Sequence, residues 1–129
     1  WAFPYERKVI QAWKAYGAKT LLHICGDSSK VLHLYAQTGA DVIELDHKVD
    51  LALARELVGD RCCLIGNIDP VTVLLQGTPE QVRAVSERCL ELGRGGGYLL
   101  GSGCVVPRIT PLENVRAMVD TARTYAVPA

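Results

Sequence analysis

Apolar residues recur along the chain in two alternating rhythms: short runs rich in Leu, Ile and Val, and longer stretches where they return every three or four positions. The short runs predict strands over Thr20 to Cys25, Asp41 to Asp46, Arg61 to Asn67 and Tyr98 to Gly101. The longer stretches predict helices. The first covers Tyr5 to Tyr16, with Val9, Ala12, Trp13 and Tyr16 on one face. A second, capped by Asp27 or Ser28, reaches Thr38, and a third starts at Asp50 and runs through Leu57. Thr78-Pro79-Glu80-Gln81 has the residue types of a capping box with proline at the first helical position, ahead of a stripe of Val82, Val85, Cys89 and Leu92. Thr110-Pro111-Leu112-Glu113 repeats the device ahead of Val115, Met118, Ala122 and Tyr125.

Strands alternating with helices at this spacing imply an α/β fold of four parallel β-α units preceded by one helix, with right-handed crossovers. Four such units make half of a (β/α)8 TIM barrel or a small open parallel sheet. An open sheet would carry a phosphate-binding glycine turn between a strand and the next helix. The run Gly93-Arg94-Gly95-Gly96-Gly97 instead follows a helix and precedes a strand, where glycine serves as helix cap and loop.

Composition narrows the classes. The chain has 129 residues, 49% of them hydrophobic, which suits one domain over 1–129 with a packed core. Lys plus Arg and Asp plus Glu both number 14, so no electrostatic footprint for nucleic acid or an anionic membrane exists. No apolar run reaches the roughly 18 residues of a bilayer span, and the first residues are charged throughout, unlike a secretory signal. Five Cys, an odd number without disulfide-like spacing, point to a reducing, cytoplasmic setting. The chain starts at Trp1 and its only Met is Met118, so we expect it to be a piece of a longer protein.

The polar residues that end the predicted strands gather on one rim: His23 and Cys25, then Glu44, Asp46 and His47, then Asn67 and Asp69, then Cys104. In a parallel α/β fold that rim is the active-site face. His23 and Cys25 stand at i and i+2, so an extended strand sends both side chains to one face with Cα atoms roughly 6.5–7 Å apart. Leu22 and Ile24 then point to the helices. Cys104 follows the fourth strand in Gly101-Ser102-Gly103-Cys104, where two glycines allow backbone to approach a bound group. Two thiolates and one imidazole select zinc, and three protein ligands leave a replaceable fourth position. Against this stands the reading of buried Cys as small hydrophobes and of a rim His as a hydrogen-bonding residue.

Glu44 and Asp46 share a face with Val42; Glu44 is a candidate fourth ligand and Asp46 a hydrogen-bond acceptor that orients a ligand, with rim salt bridges as the alternative for both. Asn67 faces the mouth at a depth suited to binding a substrate, and Asp69 is a candidate there or simply the cap of the next segment. Cys62 and Cys63 are adjacent and leave a strand on opposite faces, and Cys89 lies on an apolar helical stripe, so all three read as core filler. His33 reads as solvent-facing.

His23-Ile24-Cys25-Gly26, Gly66-Asn67-Ile68-Asp69-Pro70, Gly77-Thr78-Pro79-Glu80 and Gly103-Cys104 leading to Thr110-Pro111-Leu112-Glu113-Asn114 resemble, in this order, the C-terminal half of the uroporphyrinogen decarboxylase superfamily. The resemblance implies the later half of a (β/α)8 barrel. Its decarboxylases share the frame and Gly-Asn-Ile-Asp-Pro but typically lack the H-x-C pair and carry His where Cys104 stands. The branch with H-x-C and the later Cys resembles methylcobalamin:coenzyme M methyltransferases and related corrinoid-dependent demethylation enzymes. That branch implies His23, Cys25 and Cys104 as ligands of catalytic Zn2+, a thiol acceptor such as coenzyme M or homocysteine (or a folate), and a corrinoid supplied by a partner protein. The similar site of cobalamin-independent methionine synthase, with a carboxylate between the cysteines, makes Glu44 the leading fourth ligand.

Two rivals remain at this stage: uroporphyrinogen decarboxylase, whose key aspartate and arginines belong to the early barrel strands, and a non-catalytic half-barrel that dimerises. Two open sheet edges favour association either way, with a second copy or with the other half-barrel.

Overall fold

The computed structural model describes residues 1–125. Helix α1 (Phe3–Ala15) precedes four β-α units: β1 (Leu21–His23) with α2 (Leu32–Thr38), β2 (Val42–Glu44) with α3 (Leu51–Val58), β3 (Cys63–Ile68) with α4 (Pro79–Leu92), and β4 (Tyr98–Ser102) with α5 (Leu112–Thr124). All strand pairs are parallel and the order is β1-β2-β3-β4. Each helix from α1 to α5 packs against the next, so the helices form one layer on one face. A strand order that never reverses, with helices on one side only, is the winding of consecutive barrel units; a doubly wound sheet reverses and is covered on both sides.

Register explains why the sheet has two unlike faces. Leu22, Ile43 and Leu64 lie side by side in neighbouring strands. With Leu45 and Ile68 they point into the helices, where all but the partly buried Leu22 are fully covered together with Leu32, Val58, Leu74 and Val82. Each such Leu, Ile or Val contributes roughly 1.5–3 kcal/mol by leaving water. The alternate positions form rows on the inner face: Leu21, Val42 and Cys63 at the base, then His23, Glu44, Ile65 and Leu99. That face has no second layer among the described residues; Leu21 is 50% and Leu99 51% exposed. No helix among the described residues is long and apolar enough to cross a membrane.

Several helix starts follow the expected chemistry. Asp50 accepts from the amides of Ala52 and Leu53, and Thr78 and Gln81 close a complete capping box on α4. Others differ. Asp27 makes a local turn to the Ser29 amide, and α2 is entered through a tight turn at Ser29–Val31 without a side-chain cap from Ser28. Thr110 does not cap α5; Pro111 holds the cap position and the Thr110 hydroxyl is buried without a partner. The buried stripe of α5 is Asn114, Ala117 and Thr121, because Asn114 Nδ2 donates to the carbonyls of Leu74 and Gly77 and so turns the helix; Ala122 is exposed.

The apolar face of α1 is left uncovered: only Ile10 is buried, while Val9, Trp13 and Tyr16 are exposed. Tyr5, Val9 and Trp13 line an open groove of about 440 Å³ that runs along Leu21 to His23.

Candidate metal centre

The site grows from the C-terminal ends of β1 and β4 and the loop after β2. His23 closes β1, and its Nδ1 lies 3.2 Å from the Glu44 backbone carbonyl. A carbonyl only accepts, so Nδ1 carries the proton and Nε2 presents its lone pair to the mouth. Nε2 lies 3.4 Å from Cys25 Sγ and 3.9 Å from Cys104 Sγ, and the two sulfurs are 3.3 Å apart. His23, Cys25 and Cys104 therefore offer three donor atoms within 4.8 Å of one another. Tetrahedral zinc, with bonds of about 2.3 Å to sulfur and 2.0–2.1 Å to nitrogen, requires donor separations of about 3.5–3.8 Å, so the three side chains fit that ion with shifts of a few tenths of an ångström. The Cys104 thiol beside it, by hydrogen bond and by charge, pushes the Cys25 thiol above its ordinary range. A cation between them would reverse that balance.

Glu44 lies outside this trio. Its Oε2 is 3.5 Å from His23 Nδ1, the ring nitrogen turned away from the sulfurs. It is thus placed to orient the imidazole, as the backbone carbonyl of the same residue does.

Asp46 is buried and holds the loops. Its Oδ2 accepts from the Gly26 amide at 2.8 Å, directly after Cys25, and its Oδ1 from the Lys48 amide at 2.9 Å. Burial raises its pKa, but the two amides and His47 outweigh burial and hold the carboxyl below its usual value. The tie runs to the backbone beside a ligand. Gly103, just before Cys104, donates its amide to Ile68 O, and any Cβ there would overlap the His47 backbone. The glycine is needed for this close approach of two loops, where the sequence had suggested approach to a bound group. Asp46 and Gly103 together fix the loops that carry the two sulfurs.

Asn67 spends its amide on protein: Nδ2 donates to the carbonyls of Asp46 and Val49, tying β3 to the loop after β2. Asp69 Oδ1 accepts from the amides of Val71 and Thr72 and caps the wide helical turn Pro70–Leu75, as the simpler reading had it. Burial raises the Asp69 pKa, and these bonds carry it below the ordinary value. His47 lies between two carboxylates, Nδ1 3.2 Å from Asp46 Oδ1 and Nε2 3.8 Å from Asp69 Oδ2, and its Nδ1 is buried without a hydrogen-bond partner. Spacing had put His47 on the rim but gave no sign that its backbone supports the Cys104 loop. Cys62, Cys63 and Cys89 stay outside the trio and His33 is exposed.

Known proteins match the chain along most of its length. The family profile described as "Uroporphyrinogen decarboxylase (URO-D)" matches residues 1–125. Methylcobamide:CoM methyltransferase MtbA of Methanosarcina acetivorans is 38% identical over 97% of this chain and 36% of its own length. Uroporphyrinogen decarboxylase of Trichodesmium erythraeum is 35% identical over 95% of this chain and 34% of its own. A solved methyltransferase from Methanosarcina mazei superposes with a TM-score of 0.81 at 28% identity, covering 92% of this chain and 34% of that one. The chain thus spans about a third of the length of the curated relatives it matches. From residue 1 to 125, through the strand ends that carry His23, Cys25 and Cys104, the chain belongs to the uroporphyrinogen decarboxylase family.

Proposed function

We propose that the chain forms the zinc-binding, thiol-activating part of a methyltransferase that moves a methyl group from a methylated corrinoid, carried by a partner protein, to a small thiol such as coenzyme M. The observation that carries this reading is the convergence of His23 Nε2, Cys25 Sγ and Cys104 Sγ at the open end of the sheet. Similarity to a methylcobamide:CoM methyltransferase supports it. Zinc held by these three residues would supply a Lewis acid that makes an incoming thiol a thiolate at neutral pH. The rest of the work belongs to the chain's own side chains. Glu44 and its carbonyl hold His23 in the tautomer with a free Nε2, Asp46 and Gly103 hold the cysteine loops together, and Asn67 braces the rim. Such bracing matters because group transfer depends on the two reactants being aligned. The uncovered inner face and the edges β1 and β4 are where a second copy or a further half-barrel would complete the mouth.

The decarboxylase reading is favoured by the relative from Trichodesmium. The two readings part in one experiment. Zinc-loaded protein, given methylcobalamin and coenzyme M, should demethylate the corrinoid, and Cys104→Ser should abolish this. Metal-free protein that decarboxylates uroporphyrinogen and leaves methylcobalamin untouched would overturn the methyltransferase reading.

A further inference from the structure

We propose that Cys25 and Cys104 also form a peroxide-sensitive dithiol, closing into a disulfide that removes two of the three donors at the rim. The proposal stands on the contact between the two sulfurs and not on the metal. At 3.3 Å, Cys25 Sγ and Cys104 Sγ need to approach by little more than 1 Å to reach the roughly 2.05 Å of a disulfide. Both lie in loops immediately after strands, so closure asks for rotation of the two side chains and a small movement of loops that Asp46 and Gly103 hold close together. Cys25 is exposed and Cys104 half-buried, within reach of a small oxidant. The other cysteines lack these features: Cys89 is buried, and Cys62 and Cys63 are neighbours in sequence whose sulfurs bond to backbone carbonyls of Val58 and Leu64.

With hydrogen peroxide the step balances. One of the two sulfurs attacks one peroxide oxygen, the O–O bond breaks, and a sulfenic acid and one water form. The other sulfur then attacks the sulfenic sulfur, the S–S bond forms, and the sulfenic oxygen leaves as a second water. Two thiols are oxidised by two electrons and one peroxide is reduced. The same sulfurs cannot then ligate a cation, so metal and disulfide exclude each other.

The test uses the 129-residue chain, stripped of metal with a chelator and treated with stoichiometric hydrogen peroxide. Titratable thiols should fall from five to three, and non-reducing tryptic digestion should yield peptide 20–30 joined to peptide 95–108. Cys25→Ser and Cys104→Ser should each lack the joined peptide, while a variant with Cys62, Cys63 and Cys89 replaced by Ala should retain it. Cys25 gaining two or three oxygens with Cys104 still alkylatable, or a cross-link between two chains, would overturn the proposal. A parallel sample preloaded with zinc should resist oxidation. A disulfide that forms while zinc neither binds nor protects would uphold the dithiol and defeat the metal reading alone.

Discussion

The helix-facing and inner faces of the sheet are built from alternate residues of the same four strands, yet they carry different work. On the helix side Ile43, Leu45, Leu64 and Ile68 are fully covered and chemically interchangeable apart from shape. On the inner side the base row is apolar, and the rows above it turn to His23 and Glu44, then to Cys25, Asp46 and Asn67 at the rim. Packed apolar side chains therefore sit on one face and the candidate ligands on the other, one residue apart along each strand. A side chain's address here is its parity in the strand plus its height toward the C-terminal end.

Truncating the same residue type on both faces should separate them most. Leu64→Ala should cost about 2–5 kcal/mol in denaturant unfolding, since it opens a cavity in a fully packed layer. Leu99→Ala, half exposed on the inner face, should cost well under half as much as that. Equal losses would show that the inner face is packed after all. On the chemical side, His23→Ala or Cys104→Ser should weaken zinc binding by at least about 100-fold in a chelator competition, with little change in unfolding midpoint of the metal-free chain.

Asp46 is buried like the packed face and accepts from the amide directly after the candidate ligand Cys25. Asp46→Ala strands the amides of Gly26 and Lys48, at about 1–3 kcal/mol, and should loosen zinc binding by about tenfold through the Cys25 loop. Loss of stability without loss of zinc affinity would make it structural only. The smallest effect is expected far from the rim, at the N-terminal end of β2. There the Thr20 amide, with Lys14, holds the Asp41 carboxyl down to about 2 from an ordinary 3.8. A depressed folded value stabilises the chain above the unfolded value, and that contribution is lost as pH falls from about 4 through about 2. Asp41→Asn should flatten the fall in stability across that window, measured by denaturant unfolding at successive pH values, without touching zinc affinity.

Much of this was legible in the sequence because it depends on local spacing. The i, i+2 spacing of His23 and Cys25 is local, although β1 ends at His23 and Cys25 lies in the loop after it, and the Thr78 box needs only four consecutive residues. What escaped depends on distant partners. The roll of α5 is decided by carbonyls of Leu74 and Gly77, some forty residues before Asn114. Periodicity shows that α1 has an apolar face and not what covers it: Val9, Trp13 and Tyr16 are exposed. Asn67, read as a substrate contact from its position at the mouth, also pins the neighbouring loop through Nδ2, and only the carbonyls of Asp46 and Val49 reveal that. Gly103 was rightly singled out as a place of close approach, but the object approached is the His47 backbone.

Whether one imidazole and two thiolates share one cation at the rim is read by X-ray absorption at the zinc edge on stoichiometrically loaded protein. One zinc per chain with two sulfur and one imidazole neighbours is expected, falling to a single sulfur in Cys104→Ser. A zinc surrounded by oxygen and nitrogen alone, or no stoichiometric binding, would contradict it.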